Sequence, residues 1–200
     1  MKKPPPEPRH DRVDRQVATA HERLYHAMRA FLKDLERAER EYHAEVAAQR
    51  EELGIDARYT ETRDVERYSL AIQLFAGATI EAVVSLYAVL KFGGDKHDDH
   101  FRWGEADKRL KRAFHLAGIQ VDDDAEILKL IRAVTAGRHP IAHPFAAEYF
   151  GPEQASIELP PRRWMDESAA AGRQAIAHVD RIMELLRELD EPESLTFTIF

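Results

Sequence analysis

Residues 69–90 read SLAIQLFAGATIEAVVSLYAVL, 22 consecutive positions with a single charge, Glu81, near the middle. Nothing else in the chain limits its fold as strongly. A segment this apolar must leave water, and only two environments accept it: a bilayer, whose hydrocarbon core takes about 20 helical residues, or the interior of a helical protein. A carboxylate at the centre of a membrane span costs roughly 2.5–3.5 kcal/mol, and Gln73 adds to that. The flanking sequence offers enough amphipathic helix to cover the segment instead. The segment therefore reads as the buried central helix of a soluble bundle.

The covering helices are legible from spacing. Val17, Leu24, Met28, Phe31, Leu35, Ala38, Tyr42 and Val46 recur at steps of three, four or seven, opposite Arg23, Lys33, Glu36, Arg40 and Glu51. That stripe predicts a helix over 14–53, capped by Gly54. Its length, on the order of 60 Å at 1.5 Å per residue, exceeds what a compact bundle of this size needs. One end is expected to project or to meet a second subunit. The central helix extends over 64–92 and stops at Gly93-Gly94. Further helices are expected over 101–117, over 124–136 after the acidic run Asp122, Asp123, Asp124, and over 165–189. Gly137 is placed as the cap of the fourth. Two short stretches, 155–159 and 194–200, alternate with the period of strands and could pair as a minor β ribbon. The expected fold class is all-α, a four- to five-helix bundle. Its parts are a mobile proline-rich tail over 1–13, one domain over 14–190, and a C-terminal tail over 191–200 with room for a short strand.

The bulk properties bound the function. The 200 residues carry a formal net charge of −7. Proteins that coat nucleic acid non-specifically are usually basic, so any nucleic-acid binding here must be local. There are no cysteines, which removes disulfides and thiolate metal sites. The start, MKKPPPEPRHDR, has lysines but no apolar stretch behind them and is not a secretory signal. These features fit a cytoplasmic protein.

The stretch GRHPIAHPF, at 137–145, holds an arginine, two histidines and two prolines. Pro140 and Pro144 predict a break in the helix. The break matters because helix positions five apart point about 140° away from each other. An interruption would let Arg138 and His143 converge. That pair suits RNA cleavage without a metal. Histidine exchanges a proton near neutrality, and arginine offers a charged fork to a phosphate gaining negative charge. The spacing alone is uninformative. Random placement of 21 arginines and ten histidines in 200 positions predicts about one R-x-x-x-x-H pair, and the chain has two. The second, GRQAIAH at 172–178, lies inside an uninterrupted helix, so Arg173 and His178 should diverge.

The setting of the first copy resembles the HEPN superfamily, in which an apolar helix with a central acid precedes a helix ending in an R-polar-x-x-x-H motif. The corresponding residues are YSLAIQLFAGATIEAVVSLYAVL and Arg138-His139-Pro140-Ile141-Ala142-His143. The resemblance covers about 64–189. It implies a four- or five-helix bundle, usually a homodimer with the two motifs facing each other. It also implies a metal-independent endoribonuclease of toxin–antitoxin, abortive-infection or CRISPR-linked defence, acting on RNA and partnered by an antitoxin or other protein. By the same resemblance Arg138 stabilises the phosphate, His143 acts as acid or base, and His139 supports the site, with no cofactor. Two departures stand out. Prolines bracket the motif, and Phe145 occupies a position where some toxin members carry a modifiable tyrosine. Other members have lost catalysis and serve as binding modules, which is the alternative function.

Three further features were weighed. Glu81 either pairs with a core arginine or a backbone group, or faces Arg138 and supports it. DKHDDH, at 95–100, has metal-ligand residue types but sits in an expected loop with no third element to complete a shell, so no metal is assigned. Phe31, Tyr42, Phe75, Tyr87 and Phe114 fall on apolar faces and are expected in the core. Trp103, Tyr149 and Trp164 are expected to anchor loops, with base stacking as the other use.

Overall fold

The computed structural model describes residues 9–53, 64–142 and 162–190, and the side chains of 20–52, 64–97, 99–136 and 165–190. Among the described residues there are six helices and no strand. They are α1 (Arg9–Leu53), α2 (Asp64–Phe92), α3 (Gly94–His100), α4 (Ala106–Leu116), α5 (Glu126–Ala142) and α6 (Arg162–Leu189). The all-α class holds. The stretches read as a β ribbon lie outside the described residues.

The apolar segment is the hub. α2 packs against every other described helix. Val65, Ile72, Ala76, Ile80, Val83, Val84 and Tyr87 are each at most 1 % exposed. It is long and apolar enough to cross a membrane, yet half of its most apolar window is buried by the other helices. Its hydrophobicity is thus used as a core, with α1, α5 and α6 around it. The stripe read on α1 is the one that faces α2. Met28, Leu35, Ala38, Tyr42 and Val46 are buried, while Leu24 and Phe31 are half-buried. With 45 residues, α1 is about 67 Å long.

Small residues set how closely the helices approach. A Cβ built on Gly172 of α6 would lie 3.0 Å from Ser69 Oγ, 3.2 Å from Leu35 Cδ2 and 3.3 Å from Ser69 Cα. The Ser69 hydroxyl donates to the Ser168 carbonyl across this contact. Polar clamps then fix the packing. Tyr25 and Arg29 of α1 both donate to Asp180 of α6, at 2.9 and 2.6 Å. Lys91 reaches Asp190 at 2.7 Å, tying the C-terminal end of α2 to that of α6. Arg181 meets Glu126 at 3.0 Å across α6 and α5.

Four boundaries differ from the sequence reading. α1 begins at Arg9, directly after the last proline of the tail, which places the start where prolines cease to remove backbone donors. The segment 95–100 is helix rather than loop. Gly93, at φ 82°, ends α2, and the chain restarts as α3 with His97 and Phe101 buried. The third expected helix starts later, at Ala106, because 101–104 form turns around Gly104 at φ 110°. Finally, α5 does not end at Gly137. It continues through Pro140 to Ala142. Proline's φ is itself helical, so one proline in the last turn removes a hydrogen bond without forbidding the conformation.

The expected core aromatics are in place. Tyr42, Tyr87 and Phe114 are buried, with Tyr87 and Phe114 edge to face at 5.4 Å. Phe31 and Phe75 stack at 5.5 Å on the margin of the core. Burial, and next the charge of Asp190, raise the Tyr87 phenol above its ordinary value, so it stays neutral. Trp103 does not anchor its loop, being 78 % exposed. Phe101 is the anchor, stacked on Phe92 at 5.4 Å.

Candidate functional site

Two of the candidate residues, Arg138 and His139, lie at the C-terminal end of α5. Its first three turns are held by Ile127, Leu128, Ile131 and Val134, all buried against the core. Arg138 and His139 belong to the helix, one turn beyond Val134 and Thr135. Their side chains, and His143 altogether, lie outside the described residues. The expected break between Arg138 and His143 is corrected in part: helix persists as far as Ala142.

α5 packs antiparallel to α6. Glu126 of α5 pairs with Arg181, while Val134 shares a cleft with Ala171, Gln174, Ala175 and His178. Continued one turn further, that register brings backbone position 138 alongside the alanine run of α6, 169–171.

Glu81 has a defined partner. Its carboxylate is paired with Arg109 of α4, whose side chain is 8 % exposed and which also donates to the Phe101 carbonyl at 3.3 Å. The one charge of the apolar segment 69–90 is therefore paired with a core arginine, the first of the two uses the sequence left open; the second, an approach to Arg138, involves a side chain outside the described residues. Nothing in the sequence marks Arg109, one arginine among 21. The second R-x-x-x-x-H copy diverges as expected. Arg173 turns to Glu39 of α1, and His178 lies in the cleft beside Gln174, 3.5 Å from its amide. His178 shares that cleft with Val134.

In 95–100, His97 is buried while Asp95, Lys96, Asp99 and His100 are exposed. No group of three or more potential metal-ligating side chains comes together among the described residues. Arg138 and His139 occupy neighbouring backbone positions at the end of α5. Compared with family models, curated proteins and solved structures, the chain matches none of them.

Proposed function

We propose that the chain is a metal-independent endoribonuclease of the HEPN kind. The observation that supports this reading is that Arg138 to Ala142 form the last turn of a helix packed on a central helix whose apolar segment, 69–90, carries a single carboxylate, within an all-helical bundle. In this reading the RNA 2′-OH attacks the adjacent phosphorus. His143 handles the proton, Arg138 stabilises the charge on the non-bridging oxygens, and His139 supports the site. The P–O5′ bond breaks, leaving a 2′,3′-cyclic phosphate and a 5′-OH. Two copies of the chain bring their motifs together in a homodimer. The biological setting is a cytoplasmic toxin or defence protein held in check by an antitoxin or similar partner.

The test is cleavage of total tRNA and a mixed-sequence RNA in EDTA. Wild type is expected to cut, and His143→Ala and Arg138→Ala to lose the activity. Equal cutting by all three sinks the assignment. A second reading has its own observation: α5 stays helical through Pro140, and α1 spans about 67 Å. Both suit a non-catalytic helical dimer that binds a protein or nucleic acid. Silence of the wild type in the assay favours it.

A further inference from the structure

α4 presents all its basic residues except the buried Arg109 on one face. Lys108, Lys111, Arg112 and His115 stand at i, i+3, i+4 and i+7, the spacing of neighbours on a helix surface. Lys108, Arg112 and His115 are exposed, and Lys111 is half-buried. With Ile119 and Val121 of the following loop they line a shallow groove. Ahead of the strip sits Trp103, 78 % exposed, with the Arg102 guanidinium 5.1 Å from its ring. The Arg112 side chain donates to the His100 carbonyl at 2.8 Å, which brings the strip to the base of the loop bearing Trp103.

Two of these cations have acidic neighbours. Lys108 pairs with Glu105, and Lys111 with Asp123. Both acids are largely exposed, at 69 % and 83 %, so the pairs are weak and yield to a stronger anion. Asp107 of α4 accepts from Arg132 of α5 at 2.7 Å, which ties the start of the strip to the middle of α5.

We propose that this face binds single-stranded RNA. The α4 cations track the phosphates and Trp103 stacks a base. In a chain of net charge −7, phosphate attraction has to come from such a local row. The flat exposed indole, sharing its face with an arginine, selects splayed bases over a duplex or an acidic peptide. The inference rests on the RNA reading of the chain but not on the chemistry at His143.

The test separates the two. Binding of a labelled single-stranded oligoadenylate of about twelve nucleotides is measured in EDTA with the full chain carrying His143→Ala, which removes the proposed cleavage. Combined Lys108→Gln, Lys111→Gln and Arg112→Gln is expected to weaken binding and lower the salt slope, log Kd against log salt, by about 2. Trp103→Ala is expected to weaken it about tenfold, and in a Trp164→Phe background RNA should quench the remaining indole. Trp103, Lys108 and Arg112 are exposed and Lys111 is half-buried, and circular dichroism confirms that each variant is folded. An unchanged salt slope, absence of quenching, or equal competition by polyglutamate or duplex RNA overturns the proposal. If binding follows the strip while wild type cuts nothing, the inference stands and the ribonuclease reading falls. If wild type cuts and the strip variants bind and cut as well as it does, the inference alone falls.

Discussion

The Glu81 carboxylate of α2 is paired with the Arg109 guanidinium of α4, and this pair holds a charge in the middle of the most apolar helix of the protein. Arg109 is 8 % exposed and Glu81 33 %. Removing one partner strands the other. Breaking a fully buried pair costs about 3–5 kcal/mol, and the partial exposure of Glu81 reduces this to about 2–3 kcal/mol. Glu81→Gln is expected to lower the urea midpoint accordingly. RNA cleavage by the folded fraction should persist, because the carboxylate is engaged with α4. A loss of cleavage with unchanged stability would return Glu81 to the site.

Gly172 lies where α6 closely approaches Ser69 of α2 and Leu35 of α1. Alanine there gains about 1 kcal/mol of helix propensity, but its Cβ crowds Ser69 and Leu35, and overpacking costs about 1–3 kcal/mol. Gly172→Ala is expected to be net destabilising by about 1 kcal/mol, and Gly172→Val by clearly more. Chemical denaturation checks the order. A stabilised Gly172→Ala would show that the contact yields.

Pro140 lies within α5 and cannot donate a backbone bond to Ala136. Pro140→Ala restores the donor, and the helix should gain about 1–3 kcal/mol, read as a higher melting temperature. A lower melting temperature would mean that proline is needed for a non-helical turn at that position. Measured alongside, cleavage shows whether the proline geometry serves the chemistry.

Glu126 is held below its ordinary value of 4.5, first by its hydrogen bond from Arg181. Asp123 is held below 3.8 in the same way by Lys111. A carboxylate with a depressed folded value contributes stability above its unfolded value and loses it as pH falls through the folded one. The stability gap between wild type and Glu126→Gln should therefore be constant near neutrality and close below about pH 4. A gap that does not change between pH 7 and 3 would show that the α5–α6 ion pair is not formed in solution.

Periodicity and hydrophobicity determined most of the fold. The burial of 69–90, the α1 stripe through Tyr42 and Val46, and the span of α6 follow from local pattern alone, because an amphipathic or apolar helix has one way to leave water. Short-range punctuation was less decisive. Gly93 does end α2, yet Gly137 and Pro140 do not end α5, since both prolines and glycines fit a helix whose preceding turns are already packed. The helical state of 94–100 depends on His97 and Phe101 finding the core, which no window of six residues contains. Pairings depended wholly on the tertiary structure. That Glu81 meets Arg109, that Arg173 reaches Glu39, and that Trp103 stays in solvent while Phe101 goes in are facts of which helix lies beside which. Side chains far apart in sequence choose partners only after the helices are docked, and the docking distance here is set by a glycine and a serine, Gly172 and Ser69, whose importance no periodic signal records.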